Sequence, residues 1–334
     1  MLTHKSCRGT LASAAVAIAL LVARPTSGLA QERAKVQVPG GGSYGLALSP
    51  DGTLLAVPEN GGGIVLWDML TEKTRHILKG HTNIVKQLTF SANGTTLIAT
   101  HTAMGQGGPV SVVKHWDVAT GREKLSFVLE GGGANRALSP DGRLLVTVQG
   151  YPNKIAKVWD LTTKEEIVAL EADSRHVSAA AVTADGKVVA LGGSRGEVKL
   201  WDLPSGKPRG TFKLASEVAQ LQFSPDGRLL AARGTPSIDG CHFWDVASGK
   251  EAGPPLKQAS QYGCFSPDGK VFAYTIPSAV QLWSVARRTP LAKLTAQEKL
   301  RAATVVVFSP DGRLLARADG AGTIVLWDVP SLKP

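Results

Sequence analysis

Two stretches of this 334-residue chain have the spacing of a serine nucleophile. Gly41-Gly42-Ser43-Tyr44-Gly45 and Gly192-Gly193-Ser194-Arg195-Gly196 both read G-x-S-x-G, the pattern that can hold a serine on a sharp turn for acyl transfer. That chemistry needs a strand before the turn and a helix after it. Both copies lie in glycine-rich segments without a helical period, so they read as loops. Gly206-Lys207-Pro208 and Gly249-Lys250-Glu251 lack the Ser or Thr of a phosphate-binding loop and read as turns. His76, His81, His101, His115, His176 and His242 are scattered, with no pair at ligand spacing and no cysteine cluster. Glu59, Asp173, Glu217 and Asp239 offer loop carboxylates that nothing in the sequence pairs. No catalytic residue, metal site or cofactor is expected from these patterns.

The element that positions all of them is a repeat. The chain's seven tryptophans, Trp67, Trp116, Trp159, Trp201, Trp244, Trp283 and Trp327, each close a short apolar run, at intervals of 49, 43, 42, 43, 39 and 44 residues. Periods of this size mark arrays, solenoids or propellers. Ahead of each Trp stands Ser-Pro-Asp-Gly or a variant, as at Ser49 to Gly52, Ser224 to Gly227 and Ser309 to Gly312. Pro fixes φ, Asp bonds the backbone ahead of it and Gly accepts positive φ, so this is a tight turn. Leu54-Leu55-Ala56, Leu144-Leu145-Val146 and their counterparts follow as buried strands. Adding the run before each turn, the Trp strand and a polar run such as Thr74 to Leu78 predicts four strands per unit and an all-β array.

These units resemble the WD-repeat family, from about residue 35 to the end of the chain. The resemblance implies a seven-bladed β-propeller of four-stranded antiparallel blades; with the N-terminal segment read below, residues 31–334 are expected to form one domain of an exported bacterial-type member. Gly80-His81 before Trp116 matches the family's Gly-His pair. In the family that His joins a buried network with a Ser or Thr, the Trp and an Asp in the loop before the Trp strand. The segment His101 to Pro109, expected to be that loop, holds no Asp, while Asp319 in the seventh repeat comes without a Gly-His. The blades are therefore expected to rest on apolar packing, with the tryptophans as wedges between them.

The ends and the charges refine this. Lys35 to Val38 is an apolar run without a blade of its own, expected to supply the outer strand of the last blade and close the ring. Residues 1–30 read as a secretory signal peptide: His4, Lys5 and Arg8 precede the apolar Leu11 to Val22, and Gly28-Leu29-Ala30 offers small residues for cleavage. A twelve-residue apolar stretch is too short to span a bilayer, so export to the periplasm or medium is expected, with no membrane span. Lys5, Arg8 and Arg24 carry three of the ten net positive charges. Arg143, Lys187, Arg228, Lys270 and Arg313 interleave with turn carboxylates and lack accompanying aromatic residues, so solvated turns are favoured over nucleic-acid binding. Cys241 and Cys264 fall on a third and an inner strand of neighbouring repeats, too far apart for a disulfide, and are expected to be free.

Rigid scaffolds carry recognition on loops. The loops opposite the turns bring Asn83, Asn135, Arg136, Tyr151, Arg175, His176, Arg195, Tyr262 and Arg301 toward the channel mouth, a mixture of Arg, Tyr and Asn suited to an interface. The expected function is a non-catalytic scaffold or recognition module, a monomeric ring binding a protein or peptide partner through that face. The competing reading is an exported propeller enzyme, a hydrolase or lactonase-like protein with a metal or water at the channel mouth.

Overall fold

The computed structural model of the chain describes residues 32–38, 45–130, 136–148, 155–171, 177–236, 240–257, 259, 262–296, 301 and 303–329. Among them are seven antiparallel sheets and no helix, one sheet for each Trp unit. Each sheet is a blade of a seven-bladed propeller, and in five of them four strands run inner, second, third and outer in chain order. The Trp always lies on the third strand, as in Ile64–Asp68 of blade 1 and Glu197–Asp202 of blade 4.

The turn joining inner and second strands is built from its own residues. In blade 5, Ser224 Oγ donates to Asp226 Oδ1 at 2.6 Å and accepts from Leu229 N at 2.9 Å, while Arg228 N donates to the same Asp226 oxygen at 3.1 Å. Gly227, at φ +70°, lets its N–H return to Ser224 O at 2.8 Å. The Ser-Asp bond recurs at Ser49, Ser139, Ser266 and Ser309, with Thr183-Asp185 and Ser91-Asn93 as variants. Each turn thus satisfies its buried hydroxyl internally, which is why the sequence can repeat it unchanged in any blade.

Packing between blades runs through the tryptophans. Trp67 clusters with Leu314 and Leu326 of blade 7, Trp201 with Val158 and Leu170 of blade 3, and Trp327 with Leu282 and Leu294 of blade 6. Trp244 stacks on Phe212 of blade 4 with centroids 5.1 Å apart, and His242 also stacks on it at 5.4 Å. Burying roughly 200 Å² of ring at about 25 cal/mol/Å² gives on the order of 5 kcal/mol per junction before the entropy of ordering is subtracted. Six of the tryptophans are buried; Trp283 is only half-buried.

The run Lys35 to Val38 closes the ring as part of a longer strand, Glu32–Gln37, which pairs with the Trp strand of blade 7. Val36 and Val38 are buried, Val38 N donates to Gly322 O at 3.0 Å, and Gln37 Nε2 donates to Ala321 O at 2.9 Å.

Two blades depart from the repeat. In blade 5 the fourth position is filled by the segment around Gly253-Pro254-Pro255, held by two isolated bridges, Cys241 with Leu256 and Trp244 with Glu251. Proline has no N–H to give the ladder, so the segment bows away between the bridges. In blade 2 the segment His101 to Pro109, expected as a loop, is mostly strand: Thr96–Gly105 pairs with Gly108–Asp117 through Gly105 opposite Gly108. Thr100, Thr102, Val110 and Val112 are β-branched and favour a pleated arm, so the glycines break the chain only at its tip.

Candidate functional site at the loop face

The connections from second to third strand, and from each outer strand to the next inner one, emerge opposite the Ser-Asp turns. Asn83, Arg195 and Arg301 are exposed there and Tyr262 is half-buried. Asn135, Tyr151, Arg175 and His176 lie outside the described residues. Arg136 is a correction. It was expected on the exposed face, but it opens the inner strand of blade 3, Arg136–Leu138, and is 4% exposed. Its Nη2 donates to Thr102 Oγ1 of the long hairpin, and burial lowers its pKa to about 10. The arm of blade 2 covers it.

That arm also completes the surroundings of His81. In place of an Asp, His81 Nδ1 meets His101 Nδ1 at 2.6 Å, with the rings edge to face at 4.7 Å, and His101 Nε2 lies 3.0 Å from Thr82 Oγ1. One neutral arrangement satisfies these contacts: His81 Nδ1–H donates to His101 Nδ1, and His101 Nε2–H donates to Thr82. Burial, with the neighbouring His101 and Lys114, lowers the His81 pKa to about 3. Burial, with Arg136 and Lys114, lowers that of His101 to about 4. The pair is therefore a neutral structural core for this corner of the face. His115 packs edge to face on Phe127, and His242 Nδ1 pairs with Glu251 Oε1 at 2.7 Å.

Residues that sequence reasoning missed tie the inner strands together around the channel. Gln87 Nε2 donates to Arg136 O at 2.6 Å, and Gln87 Oε1 accepts from Leu138 N at 2.7 Å. Gln220 repeats this across the next-but-two junction, donating to Gly263 O at 2.9 Å and accepting from Gly263 N at 3.3 Å. Each amide continues a backbone ladder between blades that share no sheet. The available signal was the shared Gln-Leu-x-Phe of Gln87-Leu88-Thr89-Phe90 and Gln220-Leu221-Gln222-Phe223. Beside the second clamp, the Arg233 guanidinium lies over the Tyr262 ring at 5.7 Å, so Tyr262 presents one face to a cation already in place.

Several exposed cations on the two faces differ in their partners. On the turn face Arg143 pairs with Asp160 at 3.0 Å, Lys187 with Asp185 at 3.5 Å, Arg228 with Asp226 at 3.8 Å, Lys270 with Asp268 at 3.9 Å and Arg313 with Asp311 at 4.0 Å. On the loop face the guanidiniums of Arg195 and Arg301 have no ion pair among the described residues. Gly193 and Gly196 bound a hairpin turn between two strands, so Ser194 is not on a nucleophile elbow; of the other G-x-S-x-G stretch only Gly45 is described. Cys241 and Cys264 are free and buried, and burial pushes the Cys241 thiol up to about 12 and that of Cys264 up as well. Among the described residues no three His, Cys, Asp or Glu side chains gather as metal ligands, and no helix is long and apolar enough to cross a membrane.

The fold and this face define a β-propeller with a loop surface able to donate hydrogen bonds and receive negative charge. Comparison with known proteins agrees in kind: the WD domain, G-beta repeat family matches residues 72–103 and 288–328. The chain is 27% identical over 296 residues to a WD repeat-containing protein WDS homolog of Arabidopsis thaliana, covering 84% of this chain and 54% of that protein. It is 34% identical over 110 residues to small ribosomal subunit protein RACK1y of Oryza sativa subsp. japonica, covering 33% of this chain and 32% of that protein. It is 26% identical over 189 residues to a retinoblastoma-binding protein 5 homolog of Drosophila melanogaster, covering 54% and 37%. The chain spans about half the length of these relatives, or less.

Proposed function

We propose that this chain is a WD-repeat scaffold or recognition module, without catalytic activity of its own, that binds a protein or peptide partner through the loop face at the channel mouth. The observation that carries the reading is the pair of exposed arginines on the loop face. Arg195 and Arg301 are exposed on the loop face without an ion pair among the described residues. Exposed arginines, with Asn83 and a half-buried Tyr262 on other loops of the same face, supply the residue types that interfaces favour. The similarity to WD-repeat proteins supports the same reading. Affinity capture with the purified chain, repeated with Asn83, Arg195 and Arg301 changed to Ala, tests it. The partner should be lost from this triple variant and kept by a variant with Lys187, Arg228 and Arg313 changed to Ala. Equal retention by both would remove the loop face as the site.

The proposal extends to location. A basic start, an apolar stretch from Leu11 to Val22 and small residues up to Ala30 support export by a signal peptide, in a bacterial-type member acting in the periplasm or medium. Mass spectrometry of the protein from its native cell would show an N-terminus near Gln31. Detection of the intact Met1 peptide as the main species would refute export with cleavage.

A further inference from the structure

Away from the loop face, the irregular outer segment of blade 5 leaves a cavity of about 180 Å³ against blade 6. Its walls include Phe243, Pro254, Pro255, Leu256 and the half-buried Trp283, with Arg288 among the lining residues. The origin of the space is physical. Elsewhere an outer-strand residue of one blade covers the next blade's Trp, as Phe212 covers Trp244; in blade 5 the bowed Gly253-Pro254-Pro255 segment stands off from Trp283.

Arg288 is positioned by two features of the chain. It holds a φ of +55°, and its guanidinium occupies the space a Cβ at residue 253 would take, Gly253 itself lying at φ +91°. Only glycine leaves that place vacant. The guanidinium has no hydrogen bond or ion pair among the described residues, and the Glu251 carboxylate, two residues before Gly253 in the chain, is engaged by His242. The result is an aromatic and proline-walled slot with a free cation.

We propose that this cavity binds a small free aromatic carboxylate, its ring against Trp283 and Phe243 and its carboxylate on Arg288. The size argues for one ring, since the space falls below the roughly 300 Å³ at which pockets for drug-sized ligands begin. The chemistry argues for an acid, since a planar guanidinium matches a carboxylate in two parallel hydrogen bonds and the walls offer an anion no other cationic partner. Proline walls keep the slot open without a ligand, which lowers the ordering cost of binding.

Phenylacetate and its neutral analogue phenylacetamide test the site on the full chain by calorimetric titration and saturation-transfer NMR. For a ligand of this size a Kd on the order of 1 mM is expected. Arg288→Gln should weaken phenylacetate at least tenfold, Arg287→Gln should leave it unchanged, and phenylacetamide should bind the native chain at least tenfold more weakly than the acid does. A matched thermal melt shows that each variant is folded. The proposal fails if the acid does not bind at 10 mM, if the amide binds equally well, or if Arg287→Gln weakens binding as much as Arg288→Gln. It also fails if an aromatic residue is accepted there only within a peptide.

Discussion

Mild acid should loosen blade 2 before it reaches the turn carboxylates. His81 is buried and its pKa is lowered from 6.5 to about 3, with burial the leading cause. A histidine held neutral in the fold binds its proton more readily once unfolded, so its contribution is intact above pH 6.5 and is lost as pH falls from there toward 3. Each pH unit in that window costs about 1.4 kcal/mol, so His81 alone should remove about 2 kcal/mol between pH 6.5 and 5. His101, lowered to about 4, acts in the same direction. Asp226 and Asp245 do not compete in this window. The Ser224 hydroxyl holds Asp226 below its usual 3.8, and the Ser248 backbone amide does the same for Asp245, so their stabilising contributions are lost only at lower pH. Urea unfolding of the native chain and of a His81→Gln, His101→Asn variant, followed at pH 7.5, 6.5, 5.5 and 5.0, separates the effect. The native midpoint should fall steeply below pH 6.5 and the variant's should fall less. Parallel slopes would show that the buried pair is not the proton-linked element.

Removing residues 32–37 should lower the melting temperature sharply, because blade 7 loses its outer strand and buried Val36; an unchanged calorimetric melt would refute ring closure by this strand. Gln220→Leu should cost about 1–3 kcal/mol in chemical denaturation, since the Gly263 N–H and C=O lose their bonds to the amide across the blade junction. A change below a few tenths would mean that the clamp is incidental. Cys241 and Cys264 should resist a thiol reagent in the native chain and react in denaturant; labelling of both without denaturant would contradict their burial.

How much the sequence revealed depended on whether a residue acts within its own repeat. The Ser-Pro-Asp-Gly turns and the Trp strands were legible because each is completed by neighbours a few residues away, as Ser224, Asp226 and Leu229 are. His101 and Arg136 were placed wrongly because their surroundings depend on the length of one hairpin. Its Gly107-Gly108-Pro109 tip looks like a loop, while the alternating Thr and Val residues on either side keep the strands paired nearly to that tip. The Arg233 contact with Tyr262 and the glutamine clamps join different blades, so the repeat pattern alone does not show them. The slot by Trp283 is intermediate: Gly253-Pro254-Pro255 is a visible strand breaker, but the guanidinium standing over Gly253 belongs to blade 6.

This division explains why recognition is better assigned to departures from the repeat than to the repeat itself. A turn whose hydroxyl, carboxylate and backbone amides satisfy one another has little left to offer a ligand, and it recurs around the ring as a common base. Selectivity requires polar groups whose partners are missing or lie across a junction. Blade 2 uses its extra strand length to bury His101 and Arg136 and fix one corner of the loop face, while blade 5 gives up regular pairing and leaves a cation beside an uncovered Trp. Both departures leave the Trp register intact. The scaffold can therefore acquire individual surfaces at chosen blades without disturbing the packing that closes it.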